Sequence, residues 1–242
     1  MEADRVVRVV RLFGGPYVTA GDRRQEVPEG SKQLLAFVAL RRRRVDRRYA
    51  AGTLWPGADE ERAAGNLRSA LWRLRRAGID VLLADKFSLV LRPDVLVDVH
   101  LMDHWATRLI GGTASPDDFA VPPSWSEGLE LLPGWYDDWV LAERERLRQR
   151  MLHALEELSR RLVGAGRFAD AVEAATVAIG AEPLRESAQR VLIEAHVAEG
   201  NLCEARRIWR EYRVLVHREL GVDLPGELPP GPRAADQLAA RR

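Results

Sequence analysis

The chain of 242 residues contains one cysteine, Cys203, so no intramolecular disulfide can form. Cys203 lies between Leu202 and Glu204 in a helical pattern, where a small buried residue is expected rather than a reactive thiol. Long apolar runs are missing too. No stretch reaches the roughly 20 apolar residues of a membrane span. The opening MEADRVVRVVRLF carries acidic residues and no apolar region ending in a cleavage site, so a cytoplasmic protein is expected. No G-x-x-x-x-G-K-[ST] run occurs, which argues against nucleotide control within the chain. His100 and His104 stand four apart on an expected helix, but no Glu follows the first and no third ligand is in view. Ser124 and Ser126 lie outside any nucleophile-elbow pattern, and Asp137 and Asp138 are expected at a helix N-terminus, where carboxylates favour the dipole. No catalytic residue, cofactor or metal is expected, and the chain does not read as an enzyme.

Apolar residues at 46% and charged residues at 30% describe a globular protein, and the length suits two ordinary domains. The net charge of +1 conceals an asymmetry. Residues 1–110 hold 20 basic against 14 acidic side chains, +6; the remainder holds 17 against 22, −5. A basic half joined to an acidic half suits a polyanion-binding domain attached to something that stays off the polyanion.

The basic half is organised around residues 59–76, DEERAAGNLRSALWRLRR. Ala64, Leu67, Leu71 and Leu74 recur at helical spacing and predict an inward stripe. The opposite face carries Arg62, Ser69, Trp72, Arg73 and Arg76, with Arg68 and Arg75 on its flanks. Arginines on a helix are often a solvated face. They also suit a major groove, where they reach phosphates and guanine edges.

Before this helix, VVRVVRLF, PYVTA and RQEV alternate with Gly14-Gly15-Pro16 and Gly21-Asp22 and predict a small antiparallel sheet. A helix follows from Ser31, its expected N-cap, through Leu34, Leu35, Val38 and Ala39. Arg41, Arg42, Arg43 and Arg44 either complement its C-terminal end or touch phosphate. A short helix spans roughly residues 46–54, closed by Trp55-Pro56-Gly57. After Gly78, IDVLLAD and FSLVL predict a hairpin with Lys86 as its basic tip. Three helices and a hairpin, the third helix basic, is the order of a winged helix-turn-helix.

Residues 111–133, rich in Gly, Pro, Ser and acidic residues, are expected to be a loop or loose connection. Trp135, Tyr136 and Trp139 then open a helical stretch and are expected to serve packing. The C-terminal half repeats itself: Gly166 to Gly200, Phe168 to Leu202 and Ala171 to Ala205 are each 34 apart, the tetratricopeptide period. Helices are expected near 143–163, 167–180, 184–198 and 202–219, with Pro183 at the start of the third.

The segments LFGGPYVTAG, SKQLLAFVAL, TLWPG, NLRSALWRLRRAG and VDVHLMDHW resemble the DNA-binding half of the Streptomyces antibiotic regulatory protein family. LPGWYDDWVLAERERLRQ, GRFADAVEAATVAIGAEPLRESA and YRVLVHRELGVDLPGEL resemble the bacterial transcriptional activator domain that accompanies it. The resemblance implies a winged helix of the response-regulator output type, with a sheet before the first helix. It further implies that the third helix enters the major groove at direct-repeat promoter sites through Arg68, Ser69, Trp72, Arg73 and Arg76, and that Lys86 carries the wing contact. Phe87-Ser88-Leu89 departs from the Gly-Tyr pair that members often have in the second wing strand.

The expected fold is therefore mainly α with a small β component: a winged helix-turn-helix in residues 1–95, an all-α tetratricopeptide-like activator domain in 96–228, and a tail in 229–242. The function implied by the resemblance is a transcriptional activator of secondary-metabolite genes. Its partners would be double-stranded DNA, RNA polymerase and a second copy of itself. The competing reading is an interaction or ligand-binding scaffold with a degenerate winged helix, favoured by the near-neutral total charge and by bulky Trp72 among the reading residues.

Overall fold

A computed structural model describes residues 7–120 and 130–226. The chain forms two compact units: residues 1–104 with 127–146, and residues 105–126 with 147–242. Ser124, Ser126 and the 229–242 tail lie outside the described residues.

In the first unit, β1 (Arg8–Arg11), β2 (Tyr17–Ala20) and β3 (Arg23–Glu26) form the expected antiparallel strands. The sheet is mixed rather than purely antiparallel. A fourth strand, β7 (Val95–Val97), pairs parallel to β1 with Arg8 opposite Val95 and Val10 opposite Val97, giving the order β3-β2-β1-β7. Helix α1 (Glu29–Leu40) carries fully buried residues on every side between Leu34 and Ala39, as a central helix must. Ser31 does not cap it. Pro28 holds that position, and the Ser31 hydroxyl, buried in the first turn, donates to the Ala70 carbonyl at 2.8 Å.

Helix α2 (Arg47–Leu54) is capped by Asp46, whose carboxylate accepts the Tyr49 N–H at 2.9 Å. Helix α3 (Glu60–Arg76) is capped by Asp59, which accepts the Arg62 N–H at 2.8 Å. Glu60 and Glu61 in the first turn of α3 and Arg73, Arg75 and Arg76 in its last both favour the helix dipole. The expected hairpin, β5 (Leu82–Ala84) and β6 (Ser88–Leu91), gains a third strand, β4 (Val45–Asp46), in the order β4-β6-β5.

The buried face of α3 contains Leu67, Leu71 and Leu74 as expected, together with Ala63 and Ala70; Ala64 is only half-buried. The face is rotated slightly because small residues allow close approach to α1, where the Ser31 bond lies. Leu67 is 1% exposed, so Leu67→Ala is expected to cost about 2–5 kcal/mol of stability in this unit. Chemical denaturation checks it, and unchanged stability would reject the inward stripe.

Residues 130–132, expected as loose connection, are instead built into this unit. Leu131 bridges Phe13, and the Leu132 N–H donates to the Leu12 carbonyl at 3.0 Å. Both leucines are buried, and Leu132 sits at φ +48°, the left-handed region. The Arg144 guanidinium holds the turn by donating to the carbonyls of Leu131, Leu132 and Trp135 at 2.9–3.1 Å. Trp139 lies edge-on to Phe37 with ring centroids 5.2 Å apart, and Trp135 lies edge-on to Trp139. These two indoles pack as expected, whereas Tyr136 is 78% exposed.

Helix α4 (Asp98–Ile110) and helix α5 (Asp138–Gly164) each begin in the first unit and continue in the second. The second unit adds a 3-10 turn, Pro116–Asp118, and helices α6 (Phe168–Ala181), α7 (Glu186–Glu199) and α8 (Leu202–Leu220). The repeat is physical. Gly166 and Gly200 both adopt positive φ, +74° and +92°, at the turns before α6 and α8, and Ala171 and Ala205 are both fully buried where the helices cross. Two expectations fail locally. Cys203 is exposed, because Ala205, Ile208, Trp209 and Tyr212 form the buried face of α8 and position 203 falls outside it. Pro183 precedes α7 by three residues: the Leu184 carbonyl accepts the Tyr212 hydroxyl at 3.1 Å, and helical geometry begins only after Arg185.

Candidate nucleic-acid interface

Arg62, Arg68, Ser69, Trp72, Arg73, Arg75 and Arg76 all lie on the exposed surface of α3, with Trp72 57% exposed. The Arg76 guanidinium sits 5.0 Å from the Trp72 ring centroid, so cation and indole form one unit. Arg73 leans toward the start of α1, its Nη1 donating to the Gly30 carbonyl at 3.4 Å; a Cβ at position 30 would meet that nitrogen at 2.6 Å. A glycine there leaves room for the guanidinium.

Beside this face lies a cleft of about 680 Å³, lined by Arg47 and Arg48 from α2, Arg68 and Glu60 from α3, and Lys86 from the hairpin. Its floor is made of small residues, among them Ala51, Gly52 and Ala63. Arg48 pairs with Glu60 at 2.7 Å, and Arg47 donates to the Asp85 carbonyl at 3.0 Å. Cations surrounding a shallow, small-residue floor can seat a phosphodiester strand at close approach.

Sequence reasoning passed over Arg47 and Arg48, although a signal was present. Cations in the first turn of a helix oppose the dipole, and α2 opens on two of them with no acidic residue in that turn. A broken local rule of this kind makes Arg47 and Arg48 candidates for a role outside the helix itself. The arginines after α1 divide their work. Arg41 Nη1 donates to the Phe37 carbonyl at 3.1 Å, in the capping role, while Arg42 pairs with Asp103 at 2.6 Å and Arg44 reaches Asp85 at 3.4 Å.

The hairpin tip is held by one carboxylate. Asp85 Oδ1 accepts the N–H groups of Phe87 and Ser88 at 2.8 and 2.7 Å, and Oδ2 accepts the Ser88 hydroxyl at 2.8 Å. These bonds, with that of Phe87 the strongest and Arg44 assisting, hold the carboxyl below its usual range. The Arg47 N–H donates to the Phe87 carbonyl at 2.9 Å and ties the tip to the start of α2. Phe87 itself is 69% exposed, with Lys86 Nζ 5.4 Å from its ring centroid.

His100 and His104 do not converge on a metal position. The Arg42 Nη1 donates to His104 Nε2 at 2.9 Å. Burial, assisted by Arg42, pushes His100 down to about 4. Among the described residues no group of three or more potential metal ligands occurs. No helix among them is long and apolar enough to cross a membrane. In the helical unit a groove of about 480 Å³ runs between α6, α7 and α8, walled by Val172, Ile179, Leu192 and Leu215, with the Glu204–Arg207–Glu211 ion pairs among its lining residues.

Comparison with known proteins places these features. Residues 127–229 match the family model of the bacterial transcriptional activator domain. The regulatory protein AfsR of Streptomyces griseus is 29% identical over 213 residues, 82% of this chain; the chain spans 22% of the length of that relative. The Mycobacterium tuberculosis EmbR structure, solved in complex with a low-affinity phosphopeptide, shares the fold with a TM-score of 0.67 at 20% identity, over 98% of this chain and 65% of that one. A sheet, three helices and a hairpin followed by paired helices are thus the common architecture. The chain thus carries a bacterial transcriptional activator domain at residues 127–229 and is similar over most of its length to a Streptomyces regulatory protein.

Proposed function

We propose that the protein is a cytoplasmic, sequence-specific DNA-binding activator that occupies direct-repeat promoter sites as a dimer, recruits RNA polymerase and controls secondary-metabolite genes. Residues 1–95 supply the DNA-binding part and 96–228 the activator part. The observation that carries this reading is the grouping of cations in one unit: Arg73 and Arg76 are exposed on α3, and Arg68 of the same helix lines one cleft with Arg47, Arg48 and Lys86. With α3 in the major groove, the phosphate strand bordering that groove would pass through the cleft, and the hairpin would face the next groove. Arg62, Ser69 and Arg75 complete the surface.

The test is to incubate the protein with fragmented DNA from its host at about 0.15 M salt and to sequence what stays bound. Enrichment of promoter fragments sharing a direct repeat is expected. On such a fragment Arg73→Ala should cost about 1–3 kcal/mol of specific binding with stability little changed. Binding indifferent to salt and to Arg73→Ala would transfer the function to the helical unit and favour a scaffold.

A further inference from the structure

We infer that the hairpin tip is a minor-groove wedge: Phe87 inserts at a base step of the DNA and bends it, while Lys86, Arg44 and Arg47 hold the flanking phosphates. The inference rests on the DNA-binding reading and adds to it a second mode of contact, made by an aromatic side chain.

Three observations carry it. First, Phe87 is 69% exposed at the apex of a hairpin whose backbone is fixed. The Asp85 carboxylate accepts the N–H groups of Phe87 and Ser88, and the Arg47 N–H donates to the Phe87 carbonyl. A fixed backbone presents the ring outward with little ordering entropy left to lose on insertion. Second, the turn that carries the ring is cationic: Lys86 Nζ lies 5.4 Å from the ring centroid, Arg44 pairs with the Asp85 carboxylate and Arg47 donates to the Asp85 carbonyl. Asp85 is the acid at the tip, and its oxygens are engaged by the turn and by Arg44. An exposed apolar ring on a turn that also carries cations fits a partner with apolar steps between rows of anions. Double-stranded DNA has that pattern, base stacks between two phosphate backbones. Third, Lys86 of the hairpin lines the same cleft as Arg47 and Arg48 of α2 and Arg68 of α3. A phosphate strand in that cleft would leave the tip against the groove on its far side.

Phenylalanine is among the side chains that unstack a base step and kink the duplex toward the major groove. The steps that yield most readily are pyrimidine–purine steps, so the preferred sites should carry a TA or CA step where the tip falls, at a position no hydrogen bond reads.

A duplex selected by the full chain from a randomised pool serves as probe, with dyes at its ends and a fluorescent adenine analogue at the step beneath the hairpin. Wild-type protein is expected to shorten the end-to-end distance and to brighten the analogue by unstacking it. Phe87→Ala should abolish both signals and weaken binding on the order of tenfold, with the salt dependence unchanged. Phe87→Leu, which keeps an apolar wedge, should retain most of the bend. Lys86→Ala should leave the bend and lower the salt slope by about one. Equal bending and equal affinity for wild type and Phe87→Ala would overturn the wedge while leaving the α3 reading intact. Absence of any selected duplex with folded wild-type protein would overturn both. Loss of binding to Phe87→Ala without any bend in the wild-type complex would also reject the wedge and assign Phe87 a flat surface contact.

Discussion

Phe37→Ala is expected to remove about 3–5 kcal/mol of stability from the N-terminal unit. The ring is fully buried in α1 and is enclosed by three different elements. Arg41 stacks 3.5 Å above its centroid, Tyr49 of α2 lies 5.9 Å away, and Trp139 of α5 meets it edge-on. Truncation leaves a cavity that none of these can fill, since Arg41 is tied to the Phe37 carbonyl and Trp139 follows a turn pinned by Arg144. Hydrogen exchange of the amides in residues 29–40 measures the effect on this unit alone. Exchange slowed as in the wild type would mean that the aromatic cluster is dispensable. The same experiment asks whether the first turns of the activator domain support the winged helix, because Trp139 lies within residues 127–229.

The second large effect belongs to Asp98. Its carboxylate, 3% exposed, accepts the N–H groups of Leu12 at 2.9 and 3.1 Å, of Phe13 at 3.2 Å and of Val99 at 2.7 Å. Asp98→Ala leaves the N–H groups of Leu12 and Phe13, just after β1, without their acceptor, at about 2–5 kcal/mol. Burial pushes the carboxyl up to about 6, against those N–H groups and Arg11, which pull it down. The folded unit therefore holds the proton more tightly than the unfolded chain, where the group titrates near 3.8. The stabilisation from this site is complete below the unfolded value and is lost as pH rises through about 6, an amount on the order of 3 kcal/mol. Denaturation profiles between pH 4 and about 7 should fall with pH in the wild type and flatten in Asp98→Asn. A wild-type profile as flat as the variant's would show that the carboxylate stays ionised throughout.

The features readable in the sequence were those with a local cause. Leu67, Leu71 and Leu74 announce the inner face of α3 by spacing alone, and the 34-residue interval between Gly166 and Gly200 recurs in the turns they make. Features that depend on distant partners were hidden. Nothing near Val95–Val97 signals that it pairs parallel to Arg8–Arg11, and Ser31 looks like a cap until Ala70 is brought beside it. Leu131 and Leu132 sit among loop-forming residues, and their burial comes from Leu12 and Phe13, far back in the chain. At the candidate interface the exposed face of α3 was legible for the same reason as its buried face. The cleft was not, because it needs Arg47, Arg68 and Lys86 from three elements that only folding assembles.

The parallel pairing of β7 with β1 also sets an order of events during synthesis. Three strands leave the ribosome within the first 26 residues, yet one side of β1 stays open until Val95–Val97 has emerged, and the Leu12 and Phe13 amides wait for Asp98 just behind it. An open strand edge that long is a place where nascent chains can pair with one another. A gene fragment ending at residue 95 would stop inside β7, without Asp98 and without Leu131 and Leu132. A fragment meant to yield the first unit intact should therefore run on to Arg146, where that unit is complete.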